Sequence, residues 1–127
     1  MSKLLLIALG GATGSIARYL ISTATYTQFG VIRFPLGTLV VNSLGCLVVG
    51  ILAGLVQKHD LFSDDIRLML FVGIAGGFTT FSALGLETFE LLRHEEWMLA
   101  STYVLASVLI GVAMVGLGYA LIGINLK

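Results

Sequence analysis

The sequence predicts an all-α integral membrane protein with four transmembrane helices, and three observations support this fold class. First, 57% of the 127 residues are hydrophobic and only 11% are charged, whereas a soluble domain carries about 25% charged residues. Second, a small soluble domain leaves much of its surface in water, so this much apolar surface requires a lipid bilayer as its solvent. Third, the hydrophobic residues form four runs that are each long enough to cross a bilayer core of about 30 Å.

The charge balance gives no sign of a nucleic-acid partner, and the cysteine content gives none of a disulfide-stabilised fold. Acidic and basic residues balance at seven each, and no basic stripe suggests nucleic acid as a partner. Cys46 is the only cysteine, so there is no intramolecular disulfide framework. We expect Cys46 to be a small apolar residue on a helix face.

Three of the four predicted spans are simple apolar helices. Span one covers about residues 4–25 and is interrupted only by Arg18. Its start resembles a signal peptide but lacks a convincing cleavage site, so we interpret it as the first membrane helix. Span two covers about 34–57, and Pro35 suits its first turn because the missing N–H costs little there. Span four covers about 97–124 without a charge.

Span three, at about residues 66–92, is too long for a simple helix. Roughly 27 residues would make a helix of about 40 Å. The segment 76–82, Gly-Gly-Phe-Thr-Thr-Phe-Ser, is poor helix interior. We therefore predict that the third helix breaks near the membrane midplane. Unwound backbone at that depth lines a cavity, binds an ion or is buried in protein, and broken helices often build ion sites. A packing kink filled by the Thr and Ser side chains is the alternative.

The sixteen glycines include three pairs with the small-xxx-small spacing that lets helix backbones approach closely in lipid. These pairs are Gly10 and Gly14, Gly50 and Gly54, and Gly73 and Gly77. Four short helices enclose little by themselves, so we expect association with a second copy. A compact monomer is the alternative.

The positive charges favour neither orientation in the membrane. With four spans, one side holds four basic residues, Lys3, Lys58, Arg67 and Lys127, and the other holds three, Arg18, Arg33 and Arg93. Because a Lys/Arg excess normally sets orientation, a difference of one gives almost no instruction. We hypothesise that the chain inserts both ways, which would permit an antiparallel dual-topology dimer.

Three motifs in chain order carry a resemblance to a known family. Residues 10–14, Gly-Gly-Ala-Thr-Gly, are followed by Arg18 in span one. Residues 35–42, Pro-Leu-Gly-Thr-Leu-Val-Val-Asn, open span two, and the 76–82 segment is followed by Glu87. With these motifs the sequence resembles the Fluc/CrcB fluoride channels over essentially its whole length.

The resemblance implies a passive, electrodiffusive exporter of fluoride in the cell membrane. It implies an antiparallel homodimer with two pores, and a structural sodium ion at the dimer centre. The sodium ligands carried onto this sequence are the backbone carbonyls of Gly76 and Thr79, contributed by both subunits. Oxygen ligands in an unwound segment suit a hard cation. A paralogous subunit in place of the second copy is the alternative.

The resemblance also implies pore phenylalanines whose ring edges face the anion. Phe81 matches the first, but the second falls at Leu84, and Gly85 replaces a residue that is often serine. A leucine has no polar edge, so the aromatic box is incomplete. This departure would alter the affinity for fluoride, or it marks one half of a two-gene pair whose pores are not equivalent and which includes a non-conducting subunit.

The family's polar track along span four is half present. Tyr103 and Ser107 match its start, whereas Gly111 and Val115 occupy the next two turns without a hydroxyl. For Ser107 the alternative is an interhelical hydrogen bond or a bond to its own helix.

Other polar residues at membrane depth have a pore interpretation and a plain structural one. Asn42 would donate to a dehydrating fluoride together with the hydroxyls of Thr80 and Ser82, or it makes a helix–helix hydrogen bond. Arg18 would attract anions to the vestibule, or it reaches to the headgroups. Glu87 is a candidate functional residue because acidic residues are rare within membrane spans. The alternative is that Glu87 only forms a hydrogen bond with Thr38 or completes a hydrogen-bond network.

Rival functions fit the sequence less well. A small drug/proton antiporter needs a carboxylate in the middle of the membrane, yet span one has none and Glu87 lies beyond the predicted break. A non-conducting scaffold has no need of Asn42, Thr79 or Thr80 at membrane depth. No nucleophile with a paired base, phosphate loop or cluster of metal-ligand residues is recognisable, so an enzyme is not expected.

Overall fold

The computed structural model describes residues 2–30 and 32–123, and within these ranges it is helical without a β-strand. Four helical stretches are long and apolar enough to cross a membrane. They are α1 (Lys3–Phe29), α2 (Leu36–His59), the third span (Asp64–Arg93) and the final helix (Trp97–Leu121).

The third span is a series of shorter elements. It begins with α3 (Asp64–Arg67), continues as a π-helical segment (Leu68–Ala75) and α4 (Gly76–Phe78), and ends with α5 (Phe81–Arg93). The final helix is therefore α6. Two extended residues separate α4 from α5: Thr79 has φ −82° and ψ 156°, and Thr80 has φ −148° and ψ 116°. Both lie inside the predicted 76–82 segment, near the middle of the 30-residue span. Their depth in a bilayer stays a prediction.

The helix bounds differ from the predicted spans by a few residues. Helix α1 continues four residues past the predicted end and stops at Gly30, whose φ of 75° suits glycine. Pro35 caps α2 from just outside the helix instead of standing in its first turn. Helix α6 ends at Leu121. The predicted end of span four at Ile124, and the charge of Lys127, lie outside the described residues.

The predicted close approach of backbones is confirmed between α1 and the third span. A Cβ atom added to Gly10 would lie 2.8 Å from the Met69 carbonyl oxygen, and one added to Gly77 would lie 2.5 Å from that of Gly11. A Cβ at Gly14 would overlap the Ile74 carbonyl oxygen. Contacts of this closeness require glycine, and they fall on the π-helical segment and α4.

A second glycine contact joins α2 to α6. A Cβ at Gly50 would overlap the Val115 carbonyl oxygen, and a Cβ at Gly118 would lie 2.6 Å from the Ile51 nitrogen. Gly50 belongs to the pattern that predicts close packing, whereas Gly118 does not. Helix α5 packs on α6 as well, and α1 packs on α2.

The apolar surface of the four spans faces outward. In the most apolar 18-residue stretch of each span, no more than 22% of the residues are buried inside the protein. Large aliphatic side chains such as Leu9, Ile16 and Leu109 are more than half exposed. Such a surface is stable in hydrocarbon and unstable in water, so the chain is a multi-pass membrane protein.

Candidate functional site

The extended residues of the third span are held by a side chain of α2. The Thr80 amide N–H donates to Asn42 Oδ1 at 2.8 Å, and Asn42 Nδ2 donates to the Thr80 carbonyl at 3.1 Å. Asn42 therefore pairs with the backbone of Thr80 through both ends of its amide. The structural alternative for Asn42, a hydrogen bond between helices, is therefore observed, and its partner is the Thr80 backbone.

The same interruption removes the helical partners of two carbonyls. The Thr80 N–H, which would bond to the Gly76 carbonyl in a continuous helix, donates to Asn42 instead. The Ala83 N–H, which would bond to the Thr79 carbonyl, donates to Thr80 Oγ1 at 3.2 Å. These two carbonyls are the ones that the resemblance implies for sodium, and a hard cation prefers such oxygen atoms. No three acidic, histidine or cysteine side chains among the described residues group together.

Thr79 is fixed by its own helix and by a recess in α2. Its N–H and its Oγ1 both donate to the Ala75 carbonyl, at 3.0 and 2.9 Å. Its methyl group occupies the place that a Cβ of Gly45 would take, and the ring of Phe78 lies 3.1 Å from the same point. Gly45 follows Asn42 by three residues, so both lie on one face of α2. The sequence offers this i, i+3 spacing as a signal, but we did not predict Gly45.

A groove of about 350 Å³ runs beside the interruption. Most of the residues predicted for the anion path line it. The lining residues are Asn42, Thr79, Thr80, Phe81, Leu84 and Ser107, together with Cys46, Val49, Val108 and Val115. Ser82 is exposed next to it, with its Oγ 3.2 Å from that of Thr80. Tyr103 is not part of its wall.

The two positions of the implied aromatic box differ sharply. The Phe81 side chain is 84% exposed, whereas Leu84 is 9% exposed and packs in a cluster with Leu91, Ala100 and Tyr103. Both line the groove. Phe81 thus presents its ring outward from this chain, and Leu84 forms the floor between the groove and the core.

The predicted polar track on α6 has a different arrangement from a row of free hydroxyls. Ser107 Oγ donates to the Tyr103 carbonyl at 2.7 Å, which is the alternative of a bond to its own helix. Gly111 is buried, and a Cβ there would lie 3.4 Å from Cys46 Sγ, an ordinary contact. Cys46 lines the groove, a position that the prediction of a small apolar residue on a helix face does not specify. Its position four residues after Asn42 is the signal that was missed.

Glu87 is the centre of a hydrogen-bond network between α2, α5 and α6. Thr38 Oγ1 donates to Glu87 Oε1 and the Tyr103 hydroxyl donates to Glu87 Oε2, each at 2.6 Å. Thr38 is 7% exposed and Tyr103 is fully buried. The Phe34 ring meets the Tyr103 ring edge-on, with centroids 5.5 Å apart. Each carboxyl oxygen of Glu87 thus already accepts a hydrogen bond from a hydroxyl group.

A second cavity of about 630 Å³ is lined in part by Glu87. Its polar lining includes Arg33, Glu90, His94 and Glu96, and Arg33 forms an exposed ion pair with Glu96 across its mouth. Arg18 is half-buried on α1 and lines neither this cavity nor the groove. The structure therefore does not bring Arg18 to the other predicted site residues.

The chain is similar to known proteins over nearly its whole length. The family model described as "CrcB-like protein, Camphor Resistance (CrcB)" matches residues 5–119. A protein of Methylobacillus flagellatus named fluoride-specific ion channel FluC is 45% identical over 127 residues, covering 100% of this chain and 99% of that protein. Proteins of the same name from Phocaeicola vulgatus and Chloroflexus aurantiacus are 45% and 42% identical, and cover 93% and 95% of this chain and 96% and 95% of their own lengths.

Proposed function

Because this chain belongs to the CrcB-like protein family, whose similar members are named fluoride-specific ion channels, we propose that it is a fluoride-selective channel. The channel conducts fluoride passively down its electrochemical gradient and so lowers cytoplasmic fluoride. It is an ion channel and not an enzyme. The observation that supports this function most directly is the groove that brings Asn42, Thr80 and Phe81 together beside the interruption of the third span.

The groove offers donors that can replace the water around a small anion. Asn42 Nδ2 carries two hydrogens, and the Thr80 carbonyl takes one of them. The Thr80 and Ser82 hydroxyls lie 3.2 Å apart and share a hydrogen bond, which leaves one of the two hydroxyl hydrogens for an anion. The ring edge of Phe81 carries partial positive charge. Amide and hydroxyl donors in a narrow path favour fluoride over the larger chloride.

We propose that a second copy of the chain, in antiparallel orientation, covers this groove. Phe81 is 84% exposed and Ser82 is exposed beside it. Polar groups at this depth would be costly against lipid tails, and a second protein surface removes that cost. A paralogous subunit would serve the same purpose.

The carbonyls of Gly76 and Thr79 are the groups that we propose to hold sodium between two such copies. Both have lost their helical donors, and Gly76 is exposed on the surface of the single chain. When bound, the ion would supply positive charge to oxygen atoms that are otherwise costly to leave unpaired in the membrane.

The geometry argues against the antiporter alternative. An antiporter needs a carboxylate that is free to exchange a proton for a cation, whereas both oxygens of Glu87 accept hydroxyls from Thr38 and Tyr103. Glu87 therefore serves as a fixed acceptor that joins three helices.

The decisive experiment is fluoride efflux from liposomes, measured with an ion-selective electrode under a potassium gradient with valinomycin. We expect the reconstituted protein to release fluoride faster than protein-free vesicles do, and to release chloride no faster. A purified dimer without fluoride efflux would contradict the homodimeric channel. Proton-coupled uptake of an organic cation would favour the antiporter.

Leu84→Phe tests whether the incomplete aromatic box limits conduction. Leu84 lines the groove beside Phe81, so a ring at this position would add a second polar edge to the path. We expect a severalfold higher rate of fluoride efflux at equal protein density. Leu84→Met, which changes the shape without adding a ring, is the matched control. An unchanged rate in Leu84→Phe would show that position 84 is not limiting.

A further inference from the structure

We propose that Asn42 is a positioning residue. By holding the Thr80 backbone, it keeps the Gly76 carbonyl available to a cation and fixes the adjacent wall of the anion groove, in addition to any contact of its own with fluoride. The inference rests on the proposed function, because it concerns how one side chain sets both parts of the site. Its basis is the two-way pairing of the Asn42 amide with the backbone of Thr80.

The first step is the exchange of a hydrogen bond. A continuous helix would use the Thr80 N–H to bond to the Gly76 carbonyl, but Asn42 Oδ1 accepts this N–H at 2.8 Å. By accepting it, Asn42 supplies the partner that the helix would otherwise provide. The Gly76 carbonyl is thereby left for a cation, and the Thr80 N–H remains satisfied.

The second step is the orientation of Thr80. Asn42 Nδ2 donates to the Thr80 carbonyl at 3.1 Å, so the residue is held from both sides in its extended conformation. In this conformation Thr80 Oγ1 accepts the Ala83 N–H at 3.2 Å and caps α5. The capped start of α5 carries Phe81 and Ser82, which are the next two residues toward the groove.

The third step is steric and comes from the same face of α2. The missing Cβ of Gly45 leaves the space that the Thr79 methyl group occupies. Asn42 therefore holds Thr80 by hydrogen bonds, and the absence of a side chain at Gly45 leaves space for the adjacent Thr79. Both contacts are made between protein atoms alone, so α2 contributes to the shape of the site through its own residues.

A positioning role and a simple donor role for Asn42 give different results in Asn42→Ala. If Asn42 positions Thr80, its removal leaves the Thr80 N–H without its acceptor, so this amide exchanges faster and the backbone that presents the Gly76 carbonyl is no longer held in place. We expect hydrogen exchange of the Thr80 amide, followed by NMR on 15N-threonine-labelled protein in micelles, to be roughly tenfold faster than in the wild type. We also expect a severalfold higher sodium concentration to be needed for thermal stabilisation of the dimer, with choline as the comparison cation.

Two further variants make the test specific. Asn42→Asp keeps the shape and the oxygen that accepts the Thr80 N–H but faces the Thr80 carbonyl with a second oxygen. It should keep the Thr80 amide protected, and fast exchange of this amide in Asn42→Asp would contradict Oδ1 as the group that holds Thr80. Ser107→Ala removes a hydroxyl from the same groove without touching the interruption. Ser107→Ala should leave both the exchange rate and the sodium midpoint at wild-type values.

Asn42→Ala could instead reduce fluoride efflux while the Thr80 exchange rate and the sodium midpoint of thermal stabilisation stay at wild-type values. This result would overturn the proposal and leave Asn42 as an anion donor only. A wild-type dimer whose stability does not respond to sodium would overturn the coupling to the cation. If instead the wild type conducts no fluoride but both quantities shift as expected, the proposed function fails and the role of Asn42 stands.

Discussion

Gly14→Ala is expected to break the contact between α1 and the third span and to lower the free energy of unfolding by about 3 kcal/mol. The added Cβ would overlap the Ile74 carbonyl oxygen and lie 2.8 Å from the Phe78 nitrogen. Both are backbone atoms, so no side chain can rotate away to relieve the overlap. The backbone that would have to shift leads directly into Thr79 and Thr80. Unfolding in SDS, followed by far-UV circular dichroism, measures the loss.

Gly11→Ala is the matched control for this prediction. It adds the same Cβ to the same helix three residues earlier, where nothing lies within 4 Å of the new atom. Alanine is favoured over glycine in a helix interior by up to about 1 kcal/mol, so this variant should be neutral or slightly more stable. Equal losses of stability in the two variants would mean that backbone approach at Gly14 is not what holds α1 in place.

Glu87→Ala is expected to destabilise the protein by roughly 2 to 6 kcal/mol and to abolish most fluoride efflux. The change leaves the hydroxyls of Thr38 and Tyr103 without their acceptor, and both are buried. An unsatisfied buried polar group costs about 1–3 kcal/mol. Because the network joins α2, α5 and α6, its loss also frees the helix that carries Phe81. Thermal unfolding in detergent and liposome efflux measure the two effects.

Glu87→Gln separates the network from the charge. Glutamine has nearly the same shape and keeps one carbonyl oxygen as acceptor, while a rotated hydroxyl can accept from its amide. We expect most of the stability lost in Glu87→Ala to remain in Glu87→Gln. A stability of Glu87→Gln as low as that of Glu87→Ala would show that the carboxylate charge, and not the hydrogen bonding, is the important property.

The four helices were predictable from sequence because hydropathy over a whole span depends on many residues at once. Span two is uncharged from 34 to 57, and α2 runs from Leu36 to His59. The π-helical hydrogen bonding of Leu68–Ala75 was not predicted, because no residue type specifies it. It occurs where this segment meets Gly10 and Gly14 of α1. Contacts of this kind depend on tertiary packing, which a single sequence does not display.

The site was predictable in its residue types and less so in its partners. Asn42, Thr80 and Phe81 were expected at the anion path, and the structure groups them around one groove. That Asn42 would bond to the Thr80 backbone could not be derived, because the two residues are 38 positions apart. Cys46 was missed because a single cysteine in an apolar helix gives no chemical pattern. Its spacing from Asn42 places it on the same face of α2, and the packing of α2 on α6 makes that face part of the groove.

Gly111 differs from the scaffold glycines Gly14 and Gly50 in what an added Cβ would contact. A side chain at Gly111 meets only Cys46 Sγ at 3.4 Å, whereas one at Gly14 or Gly50 meets backbone. Backbone packing therefore does not require glycine at position 111. Position 111 can therefore hold a β-carbon without a backbone clash, whereas Gly14 and Gly50 are held to glycine by the backbone atoms that they contact.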